Sequence, residues 1–331
     1  MIKRIRYIIS TDTNPYKNLA LEEYLLKHVT EEECILYLWQ NERTVVIGKN
    51  QNPWKECKIA ELESVGGKLV RRLSGGGAVF HDLGNLNFTF LVTKDNYNVE
   101  RQLEVILEAV RQRGIPAEKT GRNDISVEGR KFSGNAFYSE GHQCYHHGTL
   151  LINVDMSMLS HYLNVSRDKL KSKGVESVRS RVTNLIEYDT TLTLASMKQE
   201  LIHAFRKVYE LEPECFCMER GEHEELRELE NKYASWEWNY GKKLDFNYSL
   251  RHRYSWGDID LNLVISSGVI KDCICYSDAL ETQLFEKLNH SLLGCPFSSI
   301  QILQALEKIP ITSETIEMLR DIKELVRSES I

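Results

Sequence analysis

No apolar run in the 331-residue chain approaches the length of a membrane-spanning helix. The opening residues, MIKRIRYIISTDTNPYKN, lack the apolar stretch and small-residue cleavage site of a secretory signal. No long basic run is present, and the formal net charge is -6. Indiscriminate binding to nucleic acid or to membrane surfaces is therefore not expected, although a local basic patch can still meet an acidic partner. Internal repeats and low-complexity segments are missing too. The expectation is a soluble cytoplasmic protein; a mature organellar protein without its transit peptide would look the same. The eight cysteines contain no C-x-x-C pair, the turn that aims two sulfurs at one zinc ion. Cys215 with Cys217, and Cys273 with Cys275, are C-x-C pairs. All four read as buried free thiols of a reducing compartment, with a metal site as the other option.

With 42% hydrophobic residues over this length, the chain can build two cores. Cys34–Trp39 and Thr44–Ile47 read as short strands, and Asn52-Pro53 as a helix start. Leu86, Phe88 and Phe90 alternate with Asn87 and Thr89, a strand with one apolar face. Leu103, Ile106, Leu107 and Val110 recur at helical spacing, and Gly114 followed by Pro116 stops that helix. Residues 123–153 read as β-structure, with Glu128-Gly129 turning a hairpin that places Lys131 on the return strand. Near Gly241 the pattern changes to short strands followed by helices, the mark of a small separate α+β unit. The fold class expected is α+β, with a large mixed-sheet domain at 1–243 and a small C-terminal domain at 250–331.

Two segments carry chemistry. In RRLSGGGAVFHD, three consecutive glycines let backbone N–H groups approach an anion, and two arginines precede them. The loop is neither a Walker A sequence nor G-x-G-x-x-G. A phosphate cradle and a flexible strand connection both fit it. Arg71 and Arg72 on one strand point to opposite faces, so only one can serve a given pocket.

The second segment is GRNDISVEGRKFSGNA. Small residues surround Lys131, a point charge suited to an α-phosphate or a carboxylate; an ordinary solvated hairpin lysine is the competing reading. Asp124 is a candidate Mg²⁺ ligand or a turn residue. His146 and His147 must face opposite ways on a strand, so they do not share a metal easily. Cys144 is a possible acyl-thioester nucleophile if His142 or His146 lowers its pKa, and otherwise an incidental thiol. The basic segment KLKSKGVESVRSRVTNL can cover a polyphosphate, meet an acidic partner or simply be solvated.

Together these segments resemble the lipoate–protein ligase A family. RRLSGGGAVFHDLGN at 71–85, GRNDISVEGRKFSGNA at 121–136, HHGTLL at 146–151, KGVESVRSRVTNL at 173–185, NPWKEC at 52–57 and SWEWNYG at 235–241 carry the likeness over nearly the whole chain. The resemblance implies a large α+β catalytic domain related to biotin ligases and a small C-terminal domain. It implies reaction of lipoate with ATP and Mg²⁺ to lipoyl-adenylate and pyrophosphate. Transfer then follows to a lysine of lipoyl domains of 2-oxoacid dehydrogenase E2 subunits or of glycine-cleavage H protein. By position, Arg72, Gly77, Ala78, Val79, Phe80 and Lys131 look like ATP or lipoyl-adenylate contacts. Ser74, His147 and Lys131 look like lipoate contacts, and Asp124 like the metal position. Lys173, Gly174, Arg179 and Arg181 look like a loop covering the adenylate. An apolar slot for the dithiolane tail is expected around Leu73, Val79 and Leu150. The alternative is an octanoyl or lipoyl transferase that uses a preformed acyl donor without ATP. A non-catalytic lipoyl-binding protein is a third reading, disfavoured by the joint presence of Arg72, the glycines, Asp124 and Lys131.

Overall fold

The computed structural model describes residues 1–121, 123–164, 182–216, 224–241 and 244–329. By compactness these fall into two units. The first comprises Met1–Val46, Cys57–Val70 and Val79–Asn239; the second comprises Ile47–Glu56, Arg71–Ala78 and Tyr240–Ile331. A division at one point in the sequence does not anticipate this, because two short upstream segments group with the C-terminal residues.

The first unit is built on an eight-stranded mixed sheet in the order β11-β1-β2-β6-β10-β9-β8-β7. The strands are β1 (Arg4–Ile9), β2 (Glu33–Trp39), β6 (Asn85–Thr93), β7 (Ala117–Thr120), β8 (Asp124–Val127), β9 (Arg130–Glu140), β10 (Gln143–Leu151) and β11 (Pro213–Cys215). β1 runs parallel to β2 and β11, and the remaining neighbours are antiparallel. A smaller sheet joins β4 (Lys68–Arg71), β3 (Thr44–Ile47) and β5 (Val79–His81).

The two faces of the large sheet differ in chemistry. Leu86, Phe88, Phe90 and Val92 of β6 pack with the apolar stripes of α3 (Val99–Arg111) and α5 (Leu194–Tyr209) in one core. Each such fully buried side chain contributes about 2 kcal/mol of burial energy. The alternate β6 residues Asn85, Asn87 and Thr89 are also buried, on the opposite face. Helix α1 (Pro15–His28) serves that second face, sending Glu22 to Thr89 and His147. Asn14 caps α1, accepting from Tyr16 N–H, and Pro15 occupies its first turn. The unit also contains α2 (Ile59–Ser64), α4 (Met156–Tyr162) and α6 (Glu224–Ala234).

In the second unit, β12 (Tyr248–Arg253), β13 (Asp258–Ser266) and β14 (Val269–Tyr276) form an antiparallel meander. Helices α7 (Gln283–Leu292), α8 (Ser299–Glu307) and α9 (Ile316–Ser328) supply Phe285, Leu288, Ile302, Leu319 and Ile322 to a core with Leu261 and Leu263. The fold is thus α+β throughout, a large mixed sheet with helices and a small sheet with helices. Among the described residues, no helix is long and apolar enough to cross a membrane. One cysteine expectation is corrected: Cys215 is exposed, because it ends a three-residue edge strand, whereas Cys275 is buried and Cys273 partly so. Cys217 lies outside the described residues.

Candidate active site

The hairpin predicted at Glu128-Gly129 forms, with both residues at positive φ, as a two-residue turn of this hand requires. It sets β8 against β9, opposing Asp124 to Gly134, and a register shift between Ile125 and Ser126 then opposes Ser126 to Lys131. The consequence is an ion pair of 2.6 Å between Lys131 Nζ and Asp124 Oδ1, each side chain about one-third exposed. The lysine lies over Gly134. A Cβ added there would sit 2.8 Å from Lys131 Nζ and 4.0 Å from Thr149 Oγ1. Glycine is therefore required for this lysine conformation, and Gly134 N–H donates to Thr149 Oγ1 at 3.3 Å.

On β10 the two histidines separate as the strand period dictates. His146 lies among Phe88, Phe90 and Phe137, with Nε2 against Asn135 Oδ1 at 2.8 Å. Burial, and secondarily His147, push its pKa down to about 3, so it is a neutral core residue. His147 faces the polar side, where Nδ1 meets Glu22 Oε1 at 2.9 Å. Thr89 donates to the same carboxylate oxygen at 2.6 Å, and Trp39 Nε1 donates to Thr89 Oγ1 at 3.1 Å. The result is a buried polar surface reaching from Trp39 and Glu22 toward Thr149 and Lys131.

Cys144 is on the core face, almost fully buried, with its pKa raised by burial against the lowering hydrogen bond to Ser139. A neutral His146 gives it no activating charge, so it lacks the setting of a thioester nucleophile. Leu150 likewise pairs with Leu86 inside the apolar core. On the same strand its neighbours Thr149 and Leu151 take the opposite, polar face.

The glycine loop lies in the second unit up to Ala78. Arg71 donates from one nitrogen to the carbonyls of Gly48, Lys49 and Gln51, and burial lowers its pKa to about 10. Arg72, also buried, donates to Ser74 Oγ and to the carbonyls of Gly75 and Gly77. Gly75 is needed for close approach, since a Cβ would strike the Ala279 carbonyl oxygen at 2.3 Å; Gly77 instead faces open space. Val79 and Phe80 belong to β5 of the first unit, paired with Val46 and Val45. Ala78, between them and Gly77, is partly exposed.

The fold thus joins Lys131, Asp124 and His147 within one unit, and Arg72, Ser74 and Gly77 within the other. Lys173, Gly174, Arg179 and Arg181 lie outside the described residues. The chain re-enters at Val182 directly beside Lys131: Thr183 N–H donates to the Lys131 carbonyl at 2.9 Å. Glu22, Thr149 and Trp39 escaped the sequence reading. Glu22 sits 125 residues from His147, and no local pattern marks that partnership.

Comparisons agree with this architecture. The lipoyl protein ligase A/B catalytic domain model matches residues 14–206, and the bacterial lipoate protein ligase C-terminus model matches residues 243–326. A lipoate-protein ligase A of Psychrobacter cryohalolentis is 39% identical over 92% of this chain and 93% of its own. One of Blochmanniella floridana is 40% identical over 90% of each chain. The crystal structure of P. falciparum LipL1 in complex with lipoate superposes with a TM-score of 0.86, at 31% identity over 98% of this chain and 100% of its own. A bipartite lipoate protein ligase from Thermoplasma acidophilum, studied with its E2 lipoyl domain, superposes at 0.63, with 26% identity over 73% of this chain and 99% of its own. The fold and these matches define an acyl-ligase enzyme of α+β type. The chain belongs to the lipoate–protein ligase A family, with both its catalytic and its C-terminal parts.

Proposed function

We propose that the protein activates lipoate with ATP and transfers the lipoyl group to the ε-amine of a lysine on an acceptor protein. The Lys131–Asp124 pair, held over Gly134 at the end of a buried polar face, carries this reading. The carboxylate must approach a negatively charged α-phosphate. Lys131 neutralises both reactants at that junction, and much of the catalysis is positioning and charge stabilisation. The carboxylate oxygen bonds to the α-phosphorus and pyrophosphate leaves. The acceptor amine then bonds to the acyl carbon, AMP leaves, and the amine proton passes to solvent.

Among the described residues, no cluster of three metal-ligating side chains exists. Mg²⁺ takes one or two carboxylates and completes its shell with substrate phosphates and water, so a single carboxylate is enough to hold it once nucleotide is present. Asp124 would hold that ion, whose contribution is to neutralise phosphate charge. Arg72 and the Gly77–Phe80 stretch would serve the nucleotide, Ser74 and His147 the lipoate, and Lys173, Gly174, Arg179 and Arg181 would cover the adenylate. Residues 1–243 would form the catalytic domain and 250–331 an accessory domain, in a cytoplasmic enzyme. The acceptors would be E2 lipoyl domains of 2-oxoacid dehydrogenases and glycine-cleavage H protein. The buried, unactivated Cys144 disfavours the thioester-transfer alternative.

The test is incubation of purified protein with lipoate, MgATP, pyrophosphatase and a lipoyl domain. Lipoate-dependent phosphate release and a mass gain on the acceptor lysine are expected. Modification only from a preformed acyl donor, without phosphate release, would instead establish the transferase.

A further inference from the structure

The polar face of the large sheet contains an amide that the reading above leaves unused. Asn87 is 1% exposed, and among the described residues its Nδ2 has no hydrogen-bond partner. Its Oδ1 accepts from Asn85 Nδ2 at 2.9 Å, which fixes the amide plane and leaves the donor edge directed elsewhere. Asn85 Oδ1, also buried, is unpartnered as well. An orphaned buried donor costs about 1–3 kcal/mol, so the fold retains this arrangement against a stability penalty.

Register shows what this donor adjoins. Asn87 is the cross-strand partner of Thr149 on β10 and of Trp39 on β2. Directly opposed residues of antiparallel strands project to the same face, with Cβ atoms about 5 Å apart. Thr149 in turn receives the Gly134 N–H, and Lys131 Nζ lies over that glycine. The row from Lys131 through Thr149 to Asn87 therefore spans about two strand spacings, near 10 Å. That spacing is of the size at which a carboxyl group could meet a cation on one side and a neutral donor on the other.

Building on the ligase reading, we propose that Asn87 Nδ2 is a second donor to the acyl oxygen of the substrate, opposite Lys131. In the free acid it would orient the carboxylate. In the transfer step it would meet the oxygen that becomes negative when the acceptor amine bonds to the acyl carbon. Collapse of that intermediate restores the carbonyl and breaks the bond to the AMP oxygen, which leaves with the electron pair; the amine proton goes to solvent. A donor aimed at developing charge in a site screened from water acts chiefly on the transition state. Asn85 is the positioning residue that holds the Asn87 amide.

The test compares wild type with Asn87→Leu and Asn87→Asp in two separate assays: pyrophosphate release from lipoate and MgATP, and transfer to a lipoyl domain from supplied lipoyl-AMP. Both variants keep the branched shape and lose the donor. The expected result is a fall in the transfer rate constant of about 10²-fold, with the KM for ATP within about twofold of wild type and the melting temperature within a few degrees. Asn85→Ala should reproduce part of this loss. Wild-type transfer rates in a folded Asn87→Leu or Asn87→Asp would overturn the proposal, leaving the amide merely hydrated. Equal losses in both assays with a much lower melting temperature in both variants would also overturn it, as a structural role. A wild-type protein that neither activates lipoate nor accepts lipoyl-AMP would remove the ligase reading and this inference together.

Discussion

Arg71 donates to three backbone carbonyls, whereas Lys131, among the described residues, has one carboxylate partner and stays about one-third exposed. Both cations sit on strands, and both lie near glycines in segments that look equally suited to bind phosphate. Their environments assign them different work. A guanidinium buried against main-chain oxygens replaces water for groups that would otherwise be orphaned, so its charge holds the 48–51 loop in place. An ammonium beside one carboxylate and above a bare glycine keeps donors available to a ligand. A cation's position in a motif says less about its function than the number of acceptors already satisfied around it.

The comparison breaks most severely at the lysine. Lys131→Met should lower lipoate-dependent pyrophosphate release by on the order of 10³-fold, while urea denaturation shows a stability change below about 0.5 kcal/mol, as expected for a half-buried lysine with one partly exposed ion-pair partner. A large loss of stability would place Lys131 with the structural cations. Arg71→Met should do the opposite, costing about 3 kcal/mol of stability by stranding carbonyls. Loss of activity in that variant without loss of stability would assign Arg71 to the ligand.

The two units should also respond oppositely to pH. His146, held near 3 against an ordinary 6.5, makes the first unit's stability full above about 6.5 and diminishing as pH falls toward 3. Asp258 in the second unit is raised from 3.8 to about 6, by burial first and by Asp278 next. Its folded form binds the proton more tightly, so its contribution is full below about 3.8 and is lost as pH rises through 6. Hydrogen exchange of the whole chain at pH 5 and pH 8 should therefore show protection rising with pH in strands 85–93 and 143–151. Protection should fall with pH in strands 258–266 and 269–276. Parallel behaviour of the two sets would refute this division. Smallest is Cys144→Ser: ligation within about twofold of wild type, with a stability loss of about 1 kcal/mol from a buried hydroxyl. A complete loss of activity in that variant would revive the thioester route.

Much of this was legible before the fold. The alternation of Leu86, Phe88 and Phe90, the Glu128-Gly129 turn and the stop at Gly114 are local signals, governed by dihedral preference and period. The blocks around Arg72, Asp124 and Lys131 were also visible, but as a resemblance to a family; by residue type alone a flexible loop, a turn aspartate and a solvated lysine fitted as well. Which residues of the 143–151 strand face the core was less legible: the alternation of faces sends Leu150 into the core and Thr149 to the polar side, and only the register with Leu86 and Asn87 settles which set is which.

The sequence by itself determined the class of fold, the glycine-rich loop and the lysine hairpin, since turn residues and strand periods act over a few positions. Only tertiary structure decided that Glu22 meets His147, that Arg71 is occupied by carbonyls, and that Lys131 rests above Gly134 in the same row as Thr149 and Asn87. Those relations depend on strand order and register. They bring together residues as many as 125 positions apart, a distance over which no local propensity carries information.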